Sequence, residues 1–120
     1  MEAEYKINIF SVMQTSTPSG RISEDGEPAG DTIQKMILDH WDQYEKITIH
    51  FEGVVKMTRP FMDEAFAKVL ENHSLNDFNQ KLYFPDASAD IVKDLNGAVK
   101  LRMKIIQTTR EREDEQADGL

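Results

Sequence analysis

Thr58 and Arg59 stand where an apolar run ending in Val54-Val55-Lys56-Met57 gives way to Pro60 and a helix-like stretch, with Asp63-Glu64 close behind. A hydroxyl at such a junction could accept a phosphate or contact a partner, and a guanidinium could pair with an anion. Open α/β sheets place functional groups at such edges, where free backbone N–H groups and the helix dipole meet solvent. A plainer chemistry is available too. Thr58 or Arg59 occupies the cap position, and Asp63 and Glu64 sit in the first turn, complementing the positive end of the dipole. Neighbouring helical residues point about 100° apart, so these two carboxylates do not easily share one substrate.

A second group lies in "SVMQTSTPSGRISEDGEPAG", residues 11–30, where periodicity stops and Gly and Pro accumulate. A loop of this length in a small domain is unusual unless it is functional or mobile. Gly20, Arg21, Asp25, Gly26 and Gly30 could fold over a small anion or nucleotide at the start of the following helix. Arg21 would supply charge, and Gly26 and Gly30 close backbone approach. The stretch lacks the lysine of a phosphate-binding loop, so turn chemistry plus a helix cap is the plainer reading. Glu24-Asp25 could help chelate a cation but carry no further ligand pattern; His40, His50 and His73 show no metal-site spacing. No nucleophile, base and orienting group occur together, so neither an enzyme, a cofactor nor a metal is expected.

Composition narrows the partners. Twenty-two acids against 14 bases leave a net charge of −8, which repels phosphate backbones and anionic lipid. The best local basic run, Lys93, Lys100, Arg102, Lys104 and Arg110, reads as the solvated face of a helix, so nucleic acid is not expected. The chain has no cysteine, which removes disulfides, thiolate metal sites and thiol nucleophiles. An acidic N-terminus and the lack of any apolar run near ~18 residues indicate a cytoplasmic protein with no membrane span.

The elements that must position these residues follow from periodicity. Tyr5, Ile7 and Ile9 alternate with Lys6, Asn8 and Phe10 as a strand, and Ile47, Ile49 and Phe51 alternate with Lys46, Thr48 and His50 as another. Ile33, Met36, Ile37, His40, Trp41 and Tyr44 fall on one helix face, capped by Asp31 or Thr32. Phe61, Met62, Ala65, Phe66, Val69 and Leu70 define the helix after Pro60. "NHSLND" connects it to a short strand in "QKLYFPD". A last helix spans Ser88 to about Arg110, with Ile91, Val92, Leu95, Val99, Met103 and Ile106 inward. One domain, residues 1–110 with a long loop at 11–30, precedes a polar, disordered tail at 111–120. Strands alternating with helices imply an α/β fold with a largely parallel sheet, and their alternation leaves only one sheet face fully covered.

Taken together, "SGRISEDGEPAGDTIQKMIL" and "KITIHFEGVVKMTRPFMDEAFAKVL" resemble the STAS-like family of small bacterial domains of unknown function. The matching positions are Gly20, Arg21, Asp25, Gly26, Gly30, Gly53, Val54, Thr58, Phe61, Asp63 and Glu64, within a likeness covering about Tyr5 to Met103. The resemblance implies a mixed, mostly parallel sheet of about four strands with helices mainly on one face, like that of the anti-sigma-factor antagonists. It also implies a regulatory strand-to-helix junction. In the antagonists that junction carries a phosphorylated serine; here Thr58 is its only hydroxyl. The expectation is a non-enzymatic regulatory or protein-interaction module acting through Thr58, Arg59, Asp63 and Glu64 on a protein partner such as an ATP-binding kinase-like regulator. The alternative is a small-anion or nucleotide-binding module using the Gly20–Gly30 loop. A homodimer is a further expectation, since open sheet edges and faces invite pairing.

Overall fold

Ile7, Ile47 and Ile49 are completely buried while Glu4 and Lys6 on the same strands' other face are exposed, the signature of a sheet with one covered side. The structure, a computed structural model, describes residues 2–118, with side chains described through Asp114. Strand β1, Glu2–Asn8, pairs in parallel with β2, Tyr44–His50, and β2 pairs in parallel with β3, Leu82–Tyr83. Tyr5 sits opposite Ile47, Ile7 opposite Ile49, and Ile47 opposite Leu82. Among the described residues the sheet therefore has three strands in the order β1-β2-β3, all parallel, where about four in a mixed arrangement were expected.

Parallel neighbours need long crossovers, and helices fill them. Helix α1, Ile9–Met13, follows β1 directly, capped by the Asn8 side chain, which accepts from the Ser11 N–H at 2.9 Å. Its Ile9 and Met13 are one turn apart and both buried, so the apparent strand continuation through Phe10 is in fact a helical turn. Helix α2, Gly30–His40, buries Ile33 and Ile37. Its cap is Ala29 rather than Asp31 or Thr32, with the Thr32 hydroxyl accepting from the Ala29 N–H at 3.1 Å. Tyr44, assigned to this helix face from spacing, begins β2 instead.

Helix α3, Arg59–Ala65, runs into a 3-10 turn at Ala67–Glu71. Residues 61–67 are buried without interruption, the pattern of a helix enclosed on all sides. The "NHSLND" connection contains helix α4, Leu75–Lys81, whose Ser74 hydroxyl accepts from the Asp77 N–H. Helix α5, Ala89–Asp118, covers the far side of α3. It continues as far as 118 through the segment read as a disordered tail; 119–120 lie outside the described residues. Its inward stripe is Ile91, Leu95, Ala98 and Arg102, not the expected Val92 and Met103, which are about two-fifths exposed. An alanine and an arginine carry little hydropathy, so the more apolar neighbours drew the expected stripe off line.

The core lies between the covered sheet face and the helices, with Phe51, Phe61, Phe66, Phe78 and Phe84 packed edge-on or offset around one another. The opposite face is polar. Glu4, Lys6, Lys46, Thr48, His50 and Tyr83 line a shallow cavity there of about 480 Å³, and Thr48 donates to the Glu4 carboxylate.

Two glycines show how closely the helices approach. A Cβ on Gly30 would lie 2.7 Å from Glu64 Cβ and 3.0 Å from the Phe61 carbonyl oxygen, so α2 can cross α3 there only without a side chain. Gly97 on α5 faces the Arg59 guanidinium, a flexible end that can give. Gly30→Ala is expected to lower stability by about 1–3 kcal/mol through overpacking. Gly97→Ala is expected to raise it by up to about 1 kcal/mol through helix propensity. Urea denaturation of the two variants beside the wild type measures both, and a sign reversal at either position would contradict the packing described.

Candidate functional site

The junction between β2 and α3 is built by the long loop as much as by the elements it joins. The Val55 N–H donates to the Ser16 carbonyl at 2.7 Å and the Thr58 N–H to that of buried Pro18 at 3.1 Å. Thr58 is the N-cap of α3, its hydroxyl accepting from the Phe61 N–H at 3.4 Å, and Pro60 falls in the first turn, where no N–H partner is lost. Thr58 and Arg59 are exposed, and Arg59 makes no ion pair among the described residues. Val55 beside them is 78% exposed, the most exposed large apolar residue described. A cleft of about 350 Å³ runs from Val55 and Lys56 over Met57, Met62 and Ile91 to Lys93 and Asp94 on α5.

Asp63 and Glu64 belong elsewhere. They lie past the first turn of α3, so they do not serve its dipole there, and they are only 7% and 6% exposed. Asp63 receives Arg102 of α5 side-on: Nε donates to Oδ1 at 2.9 Å and Nη2 to Oδ2. Arg21 of the loop donates Nη1 to Asp63 Oδ2 at 2.6 Å and reaches Glu64 Oε1 at 3.4 Å, so the adjacent carboxylates do share one cation. Lys68 Nζ meets Glu64 Oε1 at 3.0 Å, and Gln34 of α2 donates to the Glu64 carbonyl at 2.6 Å. Arg102 also reaches Glu71 at 3.7 Å. Three cations and three carboxylates thus bind the loop, α3, the 3-10 turn and α5 into one neutral cluster. Arg102 is only 12% exposed at its side chain and is not part of a solvated basic face.

Burial pushes the Asp63 carboxyl up, but hydrogen bonds from Arg102 and Arg21, with their charge, outweigh it and leave the group below its usual range. Three guanidinium N–H groups fill three of the about four acceptor sites of the carboxylate, and Asp63 is only 7% exposed, so little of it is open to a substrate. The arrangement is that of an anchor.

The loop residues divide similarly. Asp25 and Gly26, with φ of 50° and 82°, form the tip of a tight hairpin closed by reciprocal hydrogen bonds between Glu24 and Glu27, the Asp-Gly turn in which both residues take positive φ. The Gly30 and Asp31 N–H groups at the start of α2 donate to the Gly20 and Arg21 carbonyls. Asp31 in turn accepts from the Ser23 N–H and hydroxyl. The structure therefore gathers Gly20, Arg21, Gly30, Asp63 and Glu64 into one place, sets Thr58 and Arg59 on another surface, and leaves Asp25 and Gly26 at a tip. His40 stacks on Tyr5 and His73 on Trp41, each with ring centroids 3.8 Å apart, while His50 lies 3.6 Å from Asp86. Among the described residues no group of His, Asp and Glu is arranged to hold a metal. Arg102 was missed as a site residue. Its sequence signal is its place on the stripe of Ile91, Leu95 and Ala98, reached by steps of four, three and four residues, where a charge on an inward face requires a buried partner.

A carboxylate held below its unfolded value contributes stability that is present above that value, about 3.8, and is lost as pH falls through the lower folded one. Wild-type stability is accordingly expected to drop as pH is lowered below about 4. Asp63→Asn leaves Arg102 buried without its charge partner and is expected to cost on the order of 3 kcal/mol near neutrality, with a flatter acid limb. Chemical denaturation across pH measures both; an unchanged acid limb in Asp63→Asn would remove Asp63 as its source.

No curated protein and no solved structure matches the chain. One family does, over residues 29–92, just over half of the 120, a span that includes α2, β2, α3, α4, β3 and the start of α5. That family is described as a STAS-like domain of unknown function (DUF4325), and this chain belongs to it.

Proposed function

We propose that the chain is a non-enzymatic regulatory or interaction module that binds a protein partner through the β2–α3 junction. The observation that carries this reading is Val55, 78% exposed at the mouth of the cleft over Met57, Met62 and Ile91, next to an Arg59 without an ion pair. An apolar knob beside an apolar floor, lined by Lys56 and Lys93 together with Asp90 and Asp94, fits a partner offering one apolar side chain flanked by charges of both signs, with the exposed Arg59 of the same junction free to take a carboxylate or phosphate. Thr58 holds the first turn of α3 in place, and Asp63 and Glu64 act from within, fixing the helix that presents Arg59. The family resemblance favours an ATP-binding kinase-like regulator as the partner, in a reducing cytoplasm, where a chain without cysteine loses nothing.

The small-anion reading of the Gly20–Gly30 loop has less support. The N–H groups that would bind the anion donate to the loop's own carbonyls, and the Arg21 charge is directed at Asp63 and Glu64.

Affinity capture from the native cells, with bound proteins identified by mass spectrometry, tests the proposal. One specific partner is expected with the wild type and with a control reversal, Lys35→Glu, on the exposed side of α2. It is expected to be lost with Val55→Asp and with Arg59→Glu while both variants keep the wild-type melting temperature. A partner retained by both junction variants would place the binding surface elsewhere.

A further inference from the structure

Helix α5 is about 45 Å long by its 30 residues, and Ala98 is its last buried residue. Beyond it, between the stretch from Lys100 to Arg110 and the 3-10 turn with the start of α4, runs a groove of about 800 Å³. Leu70, Leu75, Met103 and Ile106 give it an apolar floor, and Leu75 and Met103 remain 36% and 39% exposed there. The floor is partly wet and still has surface to bury.

The charges around that floor have one sign. Lys100, Lys104 and Arg110 line the groove from α5, and none of them makes an ion pair among the described residues. Its one acid, Glu71, already faces Arg102 at 3.7 Å. On a chain of net charge −8 this is a local basic surface, and a partner's carboxylates complement it. A nucleic-acid backbone does not, because Glu111, Glu113 and Asp114 follow directly on α5 and the whole-chain charge repels phosphate.

The walls select the shape of the occupant. Both are helical, α5 on one side and the 3-10 turn with α4 on the other, and their main-chain groups bond largely within their own turns. An extended segment would find no ladder to join, whereas a helix arrives with its main chain already satisfied. A groove of about 800 Å³ takes about two turns of a helix ~10 Å across. We infer that the groove binds an acidic amphipathic helix of a partner protein, its apolar side chains on Leu75 and Met103 and its carboxylates against Lys100, Lys104 and Arg110. The inference is independent of the β2–α3 junction.

Selection from a random library of short helical peptides, with the full chain as bait, tests it. Groove binders are those lost with Met103→Asp, a variant whose helicity is checked by circular dichroism. They are expected to carry apolar residues at i, i+3 and i+4 spacing and an excess of acids. Their dissociation constants, read by fluorescence anisotropy, are expected to rise with salt, because Lys100, Lys104 and Arg110 are exposed. Lys100→Glu with Lys104→Glu is expected to weaken them about tenfold or more, while Arg59→Glu at the junction leaves them unchanged. Replacing the acids of a selected peptide by lysine is expected to restore its binding to the doubly reversed chain, and loss of fold cannot imitate that rescue. A library without any peptide sensitive to Met103→Asp, or groove binders without an acidic excess, would overturn the inference. So would a wild-type dimer in sedimentation velocity that Met103→Asp dissolves, since the groove would then hold a second copy.

Discussion

Asp63 sits at the centre of the helical layer with almost no solvent contact, and a buried carboxylate is costly unless donors meet it from several sides. Its donors come from the two parts of the chain with least other reason to be where they are. Arg21 belongs to a long loop without regular structure, and Arg102 to the point where α5 leaves the core. One acid on α3 therefore sets the position of both. Gly30 belongs to the same constraint, since the missing side chain lets α2 approach α3 at Glu64, the neighbour that shares Arg21.

The cluster divides α3 into two functional parts. From Phe61 onward it is enclosed, while Arg59 and Pro60 at its start are exposed and follow Thr58 on a frame supplied by the loop carbonyls of Ser16 and Pro18. Hydrophobic residues alone would bury α3 as well, and often with more stability than an ionic cluster. They would not specify its rotation about its own axis so narrowly, because apolar contacts are non-directional whereas a side-on arginine–carboxylate pair is not. The rotation of α3 decides where Arg59 points.

Helix α5 lines two clefts of the molecule. Its first half lines the junction cleft with Ile91, Lys93 and Asp94, and its second half lines the larger groove with Lys100, Met103 and Lys104. Arg102 lies between them, tied to Asp63 and Glu71. A rigid helix pinned at that point holds both surfaces in one fixed relation.

The parts legible in the sequence were those set by local rules. Alternation in "KITIHF" marks β2 and its open polar face, the Thr58-x-Pro60 pattern marks the start of α3, and spacing marks Ile33 and Ile37 as core, because strand and helix periods are properties of the backbone itself. Short elements escaped: α1 and α4 each span at most two turns, too few for a period to register, and β3 is only two residues long. The ionic cluster escaped for a different reason. Arg21, Asp63 and Arg102 are 42 and 39 positions apart, and nothing local distinguishes a carboxylate that will meet solvent from one that will meet two guanidinium groups. Local chemistry determined what Thr58 and the Asp25-Gly26 turn do; only the crossing of α2, α3 and α5 decided that Asp63 and Glu64 are interior anchors, since burial is a property of the assembled chain.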